Sequence, residues 1–262
     1  KILDREKNAA FEHSQARYWL VRKEGKIAGR IAAILSEGHR GQWHQAYMRF
    51  GWIDFIDDAE VAAVLMGAVE AWAKEVGCTA VHGPMGFSDM DHAGMLVEGF
   101  DELPTMINIY NHAYYPKHLE ALGYIKDTDW VEYEMTVPAV LDPKISKLAE
   151  IILKREKLHL LNAKSKKEIL PYAPKIFGLL NEAYSKLYGF VPLNEKQVVD
   201  YTNQYFGFIK PEFVPIVLNE QDEVVAFGIT MPSLTRALQK AKGHLFPFGF
   251  LHVLRAMKKN DR

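Results

Sequence analysis

The chain has 262 residues, 48% of them hydrophobic, and 32 Lys and Arg against 33 Asp and Glu give a formal net charge of -1. Such a length and apolar content supply one large core or two ordinary ones and exclude a disordered chain. The balanced charge excludes a global field that would draw the chain to nucleic acid or an anionic membrane, so neither is an expected partner.

The single Cys78 leaves no internal disulfide, and no secretory signal or apolar run of bilayer length appears, which makes the cytoplasm the expected compartment. Lys1 to Glu6 reads as the middle of a helix, and Lys258 to Arg262 stops without a cap or turn, so both ends are expected to be cut from a longer protein. Tyr18 to Val21 and Ile27 to Leu35 flank the turn Lys23-Glu24-Gly25-Lys26, a hairpin signal. After the polar stretch Glu37 to Gln45, the aromatic and β-branched run Tyr47 to Ile56 is a third strand.

Asp57 and Asp58 cap a helix in which Val61, Val64, Leu65, Val69, Trp72 and Val76 recur at three- and four-residue steps up to Gly77. Thr79 to His82 is a short strand, parallel to its neighbour because a helical crossover precedes it. Gly83 to Ile107 is a long loop, a short helix runs from near Pro116 to Gly123, and Asp129 to Val137 is a closing strand. Pro138 to Pro143 breaks the pattern and places a boundary near residue 140.

The second part begins with a linking helix, Ile145 to Glu156, and a strand, Leu158 to Ala163. Helices Leu170 to Leu187 and Glu195 to Phe208, strands Phe213 to Leu218 and Val224 to Met231, and a helix Phe246 to Met257 follow. Tyr18 to Ser36 lies over Pro215 to Ser233 without a gap, setting Gly25 on Asp222, which is a repeat of pattern: strand, polar turn, strand. The stretch Leu245 to Lys259 is aromatic, apolar and then basic; of a membrane-surface helix and an amphipathic packing helix, the second is expected.

The order strand, hairpin, strand, amphipathic helix, strand, short helix ending Leu122-Gly123-Tyr124, strand resembles the GNAT superfamily of N-acetyltransferases. Gly83 to Asp91, Leu96 to Asp101 and Tyr114-Tyr115-Pro116 through Tyr124 look like a bacterial group of tandem GNAT-like proteins. Leu187 to Leu193 and Ala226 to Pro232 look like that group's second copy. The resemblance implies an α/β fold with a mixed sheet flanked by helices at residues 1–140, lacking its first strand and helix, and the first half of a second GNAT-like domain at 141–262. It also implies transfer of an acyl group from acetyl-CoA to an amine acceptor, a small molecule or a peptide, and leaves a homodimer open.

A GNAT domain holds the CoA pyrophosphate on a glycine loop where its fourth strand enters its main helix. The corresponding slot here, Ile56-Asp57-Asp58-Ala59-Glu60-Val61, has no glycine or cation and three carboxylates, so the first domain is not expected to bind CoA in the family's way. Many GNAT enzymes carry a general-acid Tyr four residues before the terminal glycine, where this chain has Leu119. Tyr114 and Tyr115 are the nearest catalytic candidates, set against amphipathic packing of their rings.

Asp89, Asp91 and Glu98 lie in the long loop and are candidate amine-binding acids, set against solvated loop acids. The loop lacks the ligands of a calcium site at its fifth and twelfth positions. His39, His44, His82 and His92 have no paired helical spacing and read as ordinary residues, so no metal is expected. Serine-elbow and phosphate-loop strings are absent. A non-catalytic GNAT-like binding module and an aminoacyl transferase with paired GNAT-like domains are the alternatives.

Overall fold

A computed structural model describes residues 2–105, 107–136, 138–205 and 209–258. The chain falls into two compact units, one of Lys1–Trp130, Leu187–Pro192 and Pro232–Arg262, the other of Val131–Lys186 and Leu193–Met231.

In the first unit, β1 (Ser14–Lys23) and β2 (Lys26–Ser36) form the expected hairpin. Its turn puts both Glu24 (φ 51) and Gly25 (φ 79) in the left-handed region, the mirror-image turn whose twist suits two strands. Ser36 ends β2 and caps α1 (Glu37–Trp43), its hydroxyl accepting from the His39 N–H at 3.1 Å. This helix falls in the stretch that the sequence presents only as polar; the serine cap followed by Glu37 is its signal.

Next come β3 (Tyr47–Phe55), α2 (Ala59–Glu75), β4 (Ala80–His82) and α3 (Tyr114–Ala121). The sheet order is β1-β2-β3-β4, antiparallel except for the parallel β3–β4 pair, so the sheet is mixed. Val61, Leu65, Val69 and Trp72 of α2 pack on Ala28, Ile31, Ala33 and Leu35 of β2 and on Phe50 and Phe55 of β3. The other side of β2 is covered by Ala10 and Phe87, which meet Ile34. Burial on both sides explains why β2 reads as an almost unbroken apolar run.

The second unit holds α4 (Pro143–Arg155), β5 (His159–Leu160), α5 (Lys166–Ile169), α6 (Ala173–Ala183), α7 (Glu195–Tyr205), β6 (Ile216–Leu218) and β7 (Val224–Phe227). Its sheet, β5-β6-β7, is antiparallel, over a core of Ile169, Ile176, Ile209, Val214, Ile216 and Leu218. The β6–β7 turn has Asp222 at φ 57, the position that the pattern repeat sets against Gly25 at φ 79. The chain then returns to the first unit with α8 (Thr235–Lys240), not foreseen from the sequence, and α9 (Phe250–Lys258). No helix among the described residues is long and apolar enough to cross a membrane.

Several expectations are corrected. Residues 2–7 form turns, not a helix, because the Asp4 carboxylate accepts from the Glu6 N–H at 3.0 Å and pairs with Lys7 at 2.8 Å, local bonds that compete with helical ones. Residues 129–136 form no strand; Trp130, Val131, Tyr133 and Met135 stand exposed with no ladder to join. The helix expected to reach Leu187 stops at Ala183, and the strands expected from Leu158, Phe213 and Val224 shrink to two, three and four residues. The expected packing helix near the end begins at Phe250 rather than Phe246 and buries none of its residues. Lys1, Val137, Phe208 and residues 259–262, to which some expectations extend, lie outside the described residues.

Glycines test the packing. A Cβ on Gly51 would overlap the Met85 carbonyl, whereas one on Gly67 in α2 would meet nothing within 4 Å. Gly51→Ala is expected to lower unfolding stability by about 1–3 kcal/mol, and Gly67→Ala to raise it by about 0.5–1 kcal/mol. Denaturant titration of the two variants reads both signs.

Candidate functional site

The register of β3 with β4 sets Arg49 directly beside His82. A charged residue in the middle of an apolar strand needs partners, and Arg49 is only 1% exposed. Its Nη1 donates to the Gly86 carbonyl at 3.0 Å; its Nη2 donates to the Gly189 carbonyl and to Nδ1 of His39 at 3.1 Å. Guanidinium nitrogens only donate, so His39 Nδ1 accepts and its ring proton is assigned to Nε2.

Two loops are shaped to deliver those carbonyls. Gly189 sits at φ 68, and a Cβ there would run into the Met85 methyl. Gly86 leaves no room for a Cβ beside Asp91, whose carboxylate accepts from the N–H groups of Phe87 at 2.9 Å and Ser88 at 3.3 Å. The Met85 N–H in turn donates to the Phe50 carbonyl at 2.7 Å, carrying the loop past the end of β4 along β3.

Around Arg49 the rings converge. His39 and His82 lie 4.8 Å apart between centroids, Tyr47 stands edge-on to His82 at 5.5 Å, and Tyr188 faces His82 at 6.4 Å. Tyr188 donates its hydroxyl to Asp127 at 2.5 Å. Among the described residues the buried atoms Arg49 Nε and His82 Nε2 have no hydrogen-bond partner, and His39 Nε2 meets none in good geometry, with the Gln45 amide beside it, an uncommon accumulation that singles this cluster out.

Burial, reinforced by the Arg49 cation, pushes His39 down to about 4 and His82 down to about 3, the Gln45 amide opposing the first shift. Both rings are therefore neutral at pH 7. Burial also lowers Arg49, to about 10, against the pull of Asp89, Tyr188 and Asp91, so it stays charged. Partial burial raises Asp89 to about 6, with the Arg49 cation opposing. Because Asp89 is nonetheless exposed, water limits that rise.

The candidates read from the sequence are dispersed. Asp89 and Asp91 flank the Arg49 cluster, Asp91 as the cap of its own turn, while Glu98 stands exposed farther along the loop. Tyr114 and Tyr115 fall in the first turn of α3 with their hydroxyls engaged at the end of β3. Tyr114 donates to the Phe55 carbonyl at 2.6 Å, and Tyr115 donates to Asp54 at 3.1 Å while accepting from the Phe55 N–H at 3.3 Å. Burial lifts Tyr115 to about 12.

At the slot where a pyrophosphate loop would lie, Asp58 caps α2 through the N–H groups of Glu60 and Val61. Lys23 reaches Asp58 at 2.5 Å and Glu60 at 3.4 Å, and His118 meets Asp57 at 2.7 Å. These acids occupy the helix start, each with a partner.

Arg49 is not singled out in the sequence, and His39 and His82 are weighed there only as metal ligands and read as ordinary residues. A search for helical spacing misses partners brought together by a strand ladder; the lone Arg in the run Tyr47 to Ile56 was the available signal.

The neutral imidazoles carry a pH signature. Below about pH 6.5 the unfolded chain takes up a proton at His82 that the folded chain refuses, so stability from this group is complete above 6.5 and is lost as pH falls toward 3. Between pH 7 and 5 the wild type is expected to lose about 2 kcal/mol more than His82→Gln, read by denaturant titration at each pH. The common change from rising carboxylate protonation cancels in the comparison.

No family model and no solved structure matches the chain. It is 30% identical over 253 residues to Protein YghO of Escherichia coli, and 27% identical over 273 residues to a bacterial ceramide synthase of Caulobacter vibrioides. Each alignment takes in 96% of this chain but only 64% and 65%, respectively, of the relative's length.

Proposed function

We propose that the chain is part of an acyltransferase that forms an amide from an acyl thioester and an amine. The observation that carries this reading is the alignment of 96% of the chain with the bacterial ceramide synthase, since a ceramide is the N-acyl product of a long-chain amino alcohol. The mixed sheet flanked by helices is compatible with a GNAT-like domain, and the β6–β7 hairpin with its left-handed Asp222 supports a second, partial copy.

In this reading the Arg49 cluster is the reaction centre. Asp89, raised above the ordinary carboxylate range and open to solvent, attracts the ammonium form of the acceptor and takes its proton. The freed amine attacks the thioester carbonyl, and as the C–S bond of the tetrahedral adduct breaks, the surplus proton on nitrogen passes to the departing sulfur, leaving the neutral amide and free thiol. His82, about 3 and so neutral, is too weak a base for that proton and instead donates a hydrogen bond to the carbonyl oxygen as charge develops there. Arg49 and His39 hold His82 in a neutral, desolvated setting. The donor's phosphates are not assigned to the Asp57-Asp58-Glu60 slot, and no step uses it.

Full-length protein supplied with palmitoyl-CoA and sphinganine is expected to release free thiol and form the amide. Asp89→Asn should lower kcat by roughly 10²–10⁴-fold and remove the acidic limb of the kcat/KM profile near pH 6 without changing thermal stability. An active enzyme whose pH profile is untouched by Asp89→Asn would contradict the assignment, and absence of amide formation would contradict the function.

A further inference from the structure

Phe246 and Phe248 are 82% and 71% exposed, and Leu245, Phe250, Leu251 and Leu254 are exposed with them. Within α9, residues 250, 254 and 258 share one face through their i, i+4 spacing, and 251 and 255 lie alongside it. That outward face thus reads Phe250, Leu251, Leu254, Arg255 and Lys258, apolar side chains interleaved with cations, all exposed. The half-buried residues of α9, His252, Val253, Ala256 and Met257, lie on its opposite side.

The charge of this region is one-sided in a chain that is balanced overall. From Val224 to Asn260 the sequence has no acidic residue, and it carries Arg236, Lys240, Lys242, Arg255, Lys258 and Lys259. The first five of these are exposed. Solvent-exposed phenylalanines beside a helix with Leu and Phe on its open face and basic residues at the flanks have the chemistry of an interfacial helix. A protein partner would explain the apolar face alone; the unbroken positive charge fits a surface of anionic phosphate headgroups. Arg255 and Lys258 can keep their charged ends at the headgroups while their stems lie with the apolar face.

We infer that the segment Leu245 to Lys258 docks on an anionic lipid surface, inserting Phe246, Phe248 and the open face of α9 to the depth of the headgroup boundary. The inference stands on this segment alone and does not depend on the acyltransferase reading.

The test is co-sedimentation of the full chain with vesicles of phosphatidylglycerol and phosphatidylcholine and with vesicles of phosphatidylcholine only. Binding is expected to the anionic vesicles and to weaken with salt. Arg255→Gln with Lys258→Gln should lower affinity roughly fivefold per residue, and Phe246→Ser with Phe248→Ser should abolish sedimentation while leaving circular dichroism unchanged. Failure of the wild-type chain to bind anionic vesicles overturns the proposal, as expected if another polypeptide covers this face. So does equal binding to both vesicle types, or binding that survives loss of both phenylalanines.

Discussion

One buried guanidinium organises the first unit. Taking Arg49 out of water costs several kcal/mol; among the described residues no carboxylate forms an ion pair with it, and Asp89 and Asp91 offset that only from farther away. Two backbone carbonyls and an imidazole nitrogen do so directly, each such bond to a charged donor contributing about 1.5–3 kcal/mol. The carbonyls come from Gly86 and Gly189, so one side chain of β3 fastens two loops that are far apart in sequence. Glycine suits both positions, because a Cβ would overlap the Asp91 side chain at Gly86 and the Met85 methyl at Gly189.

The same cation sets the chemistry around it. His39 and His82 are kept neutral by burial and by Arg49 together, and the orphaned ring nitrogens remain as hydrogen-bonding groups in a dry setting, where such groups act strongly. Asp89, at the open edge, is shifted the other way. A desolvated neutral donor and a solvent-facing acid with raised proton affinity are the two groups that the proposed reaction would use.

Much of the first unit was legible in the sequence because its elements are set by local rules. The Glu24-Gly25 turn, the Asp58 cap and the three- and four-residue spacing of α2 each specify their structure within a few residues. Legibility fails where distant segments decide. Residues 129–136 have a strand's composition but no ladder to join, and α1 and α8 are too short to show a period. Of the acids in the Asp57-Asp58-Glu60 slot, Asp58 is the cap that the sequence suggests, while Asp57 and Glu60 pair with His118 and Lys23 instead. Asp89 and Asp91 were noticed as loop acids, but the groups they face were not. Arg49 and His82 meet only because β3 and β4 pair in parallel after a helical crossover, and spacing along the chain does not encode that meeting.

The most direct measurement is a pH titration of the histidine ring signals by NMR, with His39→Gln and His82→Gln identifying two of the 10 histidines. If Arg49 and burial hold both rings neutral, the His39 and His82 signals stay at their neutral positions from pH 7.5 down to about 5, well below the ordinary midpoint near 6.5. Midpoints near 6.5 for either ring would mean that the guanidinium does not govern the site, and the account of the cluster would be wrong.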